Sequence, residues 1–103
     1  MRFSERRKYA RYGFQSDVEI VFGSETRRAF ITDISMGGMF IITEAPLLVG
    51  SPCAVRLLFT PPLEVDCVVR RVIPGRGMGV EITRPSDVAR VRFERLLTSL
   101  VNP

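Results

Sequence analysis

The stretch LEVDCVVRRVI, residues 63–73, carries the clearest strand pattern in the sequence. Its apolar side chains Val65, Cys67 and Val69 fall on one face of an extended chain, and charged side chains fall on the other. Alternation at every second residue is typical of a β-strand that is buried on one side only. The turn signal PGRG and the apolar run MGVEI follow directly at 74–82. The two segments therefore predict a β-hairpin.

Similar runs of β-forming residues, separated by glycine and proline, begin at Phe14 and fill most of the chain. The predicted strands before the hairpin are 17–22, 29–33, 39–43 and 54–59. Alternation places the following side chains toward a core: Val18, Ile20 and Phe22 in the first strand, and Val55, Leu57 and Phe59 in the fourth. The segment 45–50 is expected to be a loop that covers apolar surface. Six strands with hairpin connections predict an all-β fold, a six-stranded antiparallel β-barrel, because closure removes exposed strand edges.

A C-terminal α-helix is predicted after the barrel, from Ser86 as N-cap to about Val101. The apolar residues near helical spacing are Val88, Val91, Leu96, Leu97 and Leu100. We expect the helix to cap the barrel or to dock on its flank. The 103 residues suffice for one core and not for two domains, so 1–103 is predicted as a single domain. It divides into an arm at 1–13, a barrel at 14–83 and a helix at 86–101.

Composition argues against an enzyme or a metalloprotein. The chain has no histidine, and no nucleophile has an evident paired base. Cys53 and Cys67 lie in apolar runs that are predicted to form non-adjacent strands, and two cysteines placed in this way do not make a zinc site. We expect both to be buried, reduced thiols. The first residues contain no apolar leader and no later run is long enough to span a membrane, so we expect a cytoplasmic protein without a membrane partner.

Positive charge is concentrated at the N-terminus. Residues 1–12 contain five basic residues and one acidic residue, which accounts for the whole net charge of +4. Fourteen of the fifteen basic residues are arginine, whose planar fork of donors suits phosphate oxygens and the O6 and N7 atoms of guanine. An anionic partner is therefore expected to meet the N-terminal arm.

Two short motifs stand out on this background. Arg7 and Arg11 form an RxxxR spacing, and residues 33–38, DISMGG, form a DxSxxG element between the second and third predicted strands. Taken alone, the first motif is typical of a solvated basic tail and the second of a tight turn. Their occurrence together, in this order, is more specific.

In these two motifs the chain resembles the PilZ domain family, whose signature is an RxxxR segment before a barrel and a D/NxSxxG turn some twenty residues later. The resemblance extends to the glycine-rich strand at 77–82 and covers the chain from Glu5 to about Leu100. It implies a six-stranded barrel with a C-terminal helix, in agreement with the strand pattern. It also implies a non-enzymatic receptor of bacterial signalling that binds cyclic di-GMP.

The same resemblance implies a set of ligand-binding residues. Arg7 and Arg11 would bind phosphates and guanine edges, and Asp33 would accept the N1 and N2 protons of guanine. Arg6, next to RxxxR, would favour a stacked pair of ligands over a single one. The full set is Arg6, Arg7, Arg11, Asp33, Ser35, Gly37 and Gly38.

We expect the arm to be mobile without ligand and to become ordered against the barrel when cyclic di-GMP bridges it to the turn at 33–38. The signal would then pass to an unidentified protein partner or to a ligand-dependent weak dimer of an otherwise monomeric chain. Tyr9, Tyr12 and Phe14 are interleaved with the basic residues, and we expect them to anchor the arm in the core rather than to stack on guanine.

Two alternatives remain open from the sequence. A PilZ-like adaptor would bind a protein partner and no nucleotide, although the intact motifs argue against it. A small basic barrel would bind single-stranded nucleic acid, although the strands lack an outward array of aromatic residues flanked by cations. We therefore expect no nucleic acid polymer as a partner.

Overall fold

The computed structural model describes residues 10–83 and 86–101, which form a six-stranded antiparallel barrel followed by a helix, as predicted. The strands are β1 (Tyr12–Phe22), β2 (Glu25–Ile34), β3 (Gly38–Ile42), β4 (Pro52–Leu57), β5 (Leu63–Ile73) and β6 (Gly77–Ile82), and the helix is α1 (Asp87–Val101). The predicted bounds of β5 match those observed. β1 begins at Tyr12, so the last two residues of the predicted arm belong to the barrel.

The strand order around the barrel is β1-β2-β3-β6-β5-β4, and β4 closes the barrel by pairing with β1. β3 and β4 are not neighbours, so their connection must cross one end of the barrel. Leu47 in this connection is only 9% exposed and joins the core, whereas Leu48 and Val49 remain exposed. The expectation of an apolar-covering loop is therefore confirmed for Leu47 alone.

Side chains on the inner faces of the strands form one core. The most deeply buried are Val18, Ile31, Ile34, Met39, Ile41, Val55, Leu57, Val65, Cys67, Val69 and Met78. Two positions predicted to face the core, Phe22 and Phe59, differ in the structure. Phe22 is 37% exposed, because it is the last residue of β1 before the turn at Gly23. Phe59 lies beyond the end of β4 and is partly buried against Phe14, with ring centroids 6.3 Å apart in an edge-on arrangement.

Helix α1 begins as predicted, because the Ser86 hydroxyl accepts a hydrogen bond from the Ala89 N–H at 3.1 Å. Its buried face consists of Ala89, Phe93 and Leu97, spaced four residues apart, and it packs against β1 and β5. The prediction that Val88 and Val91 belong to the apolar face is wrong, since both are exposed. In the part of the chain described here, no helix has the length and apolar character needed to cross a lipid bilayer.

The two cysteines are direct partners in the register of β4 and β5, so the expectation that they lie in non-adjacent strands is wrong. β4 and β5 are consecutive strands that form a hairpin, and their register places the two cysteines opposite each other. Both are free thiols, and the exposed fractions of Cys53 and Cys67 are 9% and 1%. Burial raises the pKa of both thiols, most strongly that of Cys67.

We expect neither thiol to react with a disulfide reagent such as dithionitrobenzoate in the folded protein at pH 8. Reaction requires an accessible thiolate, and burial removes both accessibility and the thiolate. Counting the released chromophore should give almost no reactive thiol in buffer and two per chain in guanidinium chloride. Rapid reaction of Cys53 or Cys67 without denaturant would contradict the packing of the β4–β5 inner face.

Candidate ligand-binding site

The turn at 33–38 is held together by Ser35. The Ser35 Oγ accepts hydrogen bonds from the backbone N–H groups of Gly37 and Gly38, each at 3.1 Å. The Ser35 N–H donates to the Gly38 carbonyl at 2.9 Å, and the side chain is only 4% exposed. Serine at this position therefore shapes the turn. Direct contact between Ser35 and a ligand stays a prediction.

Gly38 is required by the approach of β3 to β6. A Cβ atom on Gly38 would overlap the carbonyl oxygen of Val80 and would lie 3.2 Å from its carbonyl carbon. The Gly37 carbonyl accepts a hydrogen bond from the Ile82 N–H at 2.9 Å, which attaches the turn to the end of β6. Gly38 of the motif thus has a structural reason that does not depend on a ligand.

Asp33 lies on the outer side of β2, immediately before this turn. The Arg11 Nη1 atom donates to the Asp33 Oδ1 atom at 2.5 Å, and the two side chains are 47% and 34% exposed. The contact follows from strand pairing, because Gly13 is the register partner of Asp33 and the chain entering β1 must pass beside it. The structure therefore brings the second arginine of RxxxR to the first residue of DxSxxG.

The other predicted residues of the arm, Arg6 and Arg7, lie outside the described residues, as does Tyr9. Tyr12 and Phe14 are partly buried and pack against the core. The anchoring role predicted for these aromatic residues is therefore confirmed for Tyr12 and Phe14.

A groove of about 470 Å³ adjoins the turn on the side of the helix. Met36 of the turn lines it together with Tyr12 of β1 and Leu97 of α1. Glu94 is the one charged side chain among the described residues that line it. An apolar groove with an acidic group does not suit a phosphate.

The strand order and the single helix define a small β-barrel domain, in which a turn shaped by Ser35 lies beside Arg11 and Asp33. The family model of the PilZ domain matches residues 5–99. This chain belongs to the PilZ domain family, whose members are binding and adaptor domains. No curated protein matches the chain.

Solved structures share the fold. The inhibitor of motility MotI/DgrA of Bacillus subtilis has a TM-score of 0.77 at 22% identity, over 94% of this chain and 52% of that one. YcgR of Escherichia coli in complex with c-di-GMP has a TM-score of 0.74 at 19% identity, over 93% and 46%. The PilZ domain of CeSA from a cellulose-synthesizing bacterium has a TM-score of 0.70 at 23% identity, over 90% and 99%. The chain thus spans about half the length of the first two proteins.

Proposed function

We propose that this chain is a cyclic di-GMP receptor that binds the nucleotide between its N-terminal arm and the turn at 33–38. The observation that carries the proposal is the contact between Arg11 and Asp33, which joins the two signature motifs at one end of the barrel. Membership of the PilZ family supports it, and so does the similar fold of YcgR, which was solved in complex with this nucleotide.

The chemistry of the ligand matches the groups that the proposal assigns to it. Cyclic di-GMP carries two phosphodiesters and two guanines. Arg7 and Arg11 offer charge-assisted hydrogen bonds to phosphate oxygens or to the O6 and N7 atoms of guanine. Asp33 offers a carboxylate to the N1 and N2 protons of guanine. Arg6 adds a third cation for a second, stacked nucleotide.

The pair of Arg11 and Asp33 is easily exchanged for ligand contacts. Both side chains are partly exposed, so the ion pair contributes at most about 1 kcal/mol to stability. A nucleotide brings an anionic phosphate for the arginine and N–H donors for the aspartate. Binding therefore replaces one solvent-screened contact by several charge-assisted ones, with little loss.

Binding would order the arm against the turn and create a surface for a downstream protein. The chain itself is then a monomer, or a weak dimer when the ligand bridges two copies. The adaptor that binds no nucleotide and the barrel that binds single-stranded nucleic acid are the competing functions. The phosphate-binding and guanine-binding groups at one turn favour the receptor over both.

The test is an isothermal titration of the full chain with cyclic di-GMP, with GTP and a short single-stranded oligonucleotide as controls. We expect selective binding at micromolar concentration or below, abolished by Arg7→Ala, with one or two nucleotides per chain. No heat from a folded protein would leave the adaptor as the function. Strong, sequence-tolerant oligonucleotide binding that weakens steeply with salt would indicate the nucleic-acid barrel. Hydrogen exchange should slow in the arm only with ligand.

A further inference from the structure

The glycine at position 79, in the middle of β6, has no structural cause within the fold. Gly38 and Gly77 both adjoin a facing strand so closely that a Cβ atom would overlap a backbone carbonyl oxygen. A Cβ atom on Gly79 would instead make ordinary contacts, at 3.8 Å from the Arg71 Cβ, 3.9 Å from the Arg71 Nε and 3.9 Å from the Phe40 Cδ1. The backbone of Gly79 has no positive φ either. The missing side chain leaves a gap between Phe40 and Arg71.

This gap lies in one row with Asp33 on the outer face of the barrel. The register pairs Asp33 with Phe40, Phe40 with Gly79 and Gly79 with Arg71. Met39, Ile41, Met78 and Val80 are the inward neighbours in β3 and β6, so Phe40 and Gly79 lie on the outer face, where Phe40 is covered and only 8% exposed. Because adjacent strands lie about 4.8 Å apart, the row extends from the Arg11–Asp33 pair across three strand spacings to Arg71.

The far end of the row carries positive charge. Arg71 and Arg76 are both exposed, and the Arg76 guanidinium lies over the Phe40 ring at 6.0 Å from its centroid. Across residues 10–83 and 86–101, neither forms an ion pair with an acidic side chain, whereas the adjacent Arg70 pairs with Glu81 at 2.6 Å. The row thus offers a backbone floor at Gly79, an apolar wall at Phe40 and two cations, Arg71 and Arg76, with the Arg71 side chain beside the glycine.

Resting on the proposed function, we propose that a guanine base of the bound nucleotide lies flat over Gly79 and that Arg71 binds its O6 and N7 edge. A glycine allows a planar ring to approach the backbone closely, and the Phe40 ring bounds the base on the opposite side. The guanidinium fork of Arg71 matches the two acceptors of guanine. Adenine presents an amino donor at the same edge, so Arg71 selects guanine over adenine.

The proposal is tested by titrating the full-length variants Gly79→Ala and Arg71→Ala with cyclic di-GMP and with cyclic di-AMP. Arg95→Ala is the matched control, since Arg95 is an exposed arginine of α1. We expect about tenfold weaker cyclic di-GMP binding in Arg71→Ala, which loses roughly one hydrogen bond to a charged group, and wild-type binding in the control. In Gly79→Ala the added methyl group should weaken binding by keeping the base from the backbone. The preference for guanine over adenine should also narrow in Arg71→Ala. Melting temperatures measured by circular dichroism should match the wild type, because neither change disturbs the core.

The outcomes separate this inference from the receptor function. If the wild type binds cyclic di-GMP and both variants bind it equally well, the site over Gly79 is wrong and the receptor stands. If the wild type does not bind, the receptor function fails and the site fails with it. If Gly79→Ala is less stable than the wild type, the test rests on Arg71→Ala alone, through its affinity for cyclic di-GMP and its preference for guanine over adenine.

Discussion

Gly38→Ala should destabilise the barrel by about 3 kcal/mol, near the upper end of the cost of overpacking. The added methyl group would overlap the carbonyl oxygen of Val80, which is backbone and cannot rotate away. Relief requires β3 to move away from β6, which weakens the five register pairs between Gly38–Ile42 and Gly77–Glu81. Urea denaturation followed by circular dichroism should show the midpoint moving to lower concentration with an unchanged slope.

Gly79→Ala is the control for this prediction, because it adds the same methyl group to the same pair of strands. Its Cβ atom meets only ordinary contacts, so the free energy of unfolding should stay the same or rise slightly. Equal stability of Gly38→Ala and the wild type would contradict the close approach of β3 and β6. Any loss of ligand binding in Gly38→Ala must be corrected for folding before Gly38 is assigned a ligand contact.

Local sequence patterns predict the bounds of a strand correctly where proline residues lie at both of its ends. Pro61 and Pro62 precede β5 and Pro74 follows it, so its predicted and observed bounds agree. The fourth strand was predicted too late along the chain, at 54–59 rather than at Pro52–Leu57. Alternation continues through Phe59, but pairing with β5 ends at Leu57 and Leu63. A period of two fixes which side chains share a face and not where a partner strand stops.

The choice of which face of α1 is buried also lies beyond what local sequence patterns predict. Valines at 88 and 91 have the apolar character of a buried face, yet Ala89 and Phe93 are buried instead. The short helix has several apolar residues on more than one side, and the surface of β1 and β5 selects among them. The Arg92 guanidinium donates to the Pro62 carbonyl at 2.9 Å, a contact that also fixes the rotation of the helix. Arg92 and Pro62 are 30 residues apart in the sequence.

The candidate site also has some features that the sequence predicts and others that it does not. Spacing alone identified both motifs, and Arg11 and Asp33 meet although they are 22 residues apart. The row from Asp33 through Phe40 and Gly79 to Arg71 depends on β3 pairing with β6, which is a non-local choice of strand order. The facing cysteines are a different case, because β4 and β5 are consecutive in the chain and only the register of their hairpin places the thiols opposite each other. Periodicity predicts elements, and strand order decides which elements share a surface.

Arg11→Ala should weaken cyclic di-GMP binding roughly thirtyfold, which corresponds to about 2 kcal/mol for a charge-assisted contact. The melting temperature should hardly change, because the partly exposed pair with Asp33 adds little to stability. Calorimetric titration gives the affinity, and repeating it at higher salt should reduce the difference between variant and wild type, since part of the contact is electrostatic.

Arg28→Ala is a matched control, because Arg28 is also an exposed arginine, 3.8 Å from Asp17, near the opposite end of β2. It should bind the nucleotide like the wild type, whereas an equal loss in both variants would mean that only net charge matters.

The double variant Arg11→Ala with Asp33→Ala separates two roles of Arg11. If both side chains contact the ligand, the double variant should bind more weakly than either single variant, with a coupling of up to about 1 kcal/mol from their ion pair. If Arg11 acted only by holding Asp33 in place, its removal would cost nothing once Asp33 is gone. The two side chains suit different parts of the nucleotide, phosphate and guanine, so we expect the double variant to bind more weakly than either single variant.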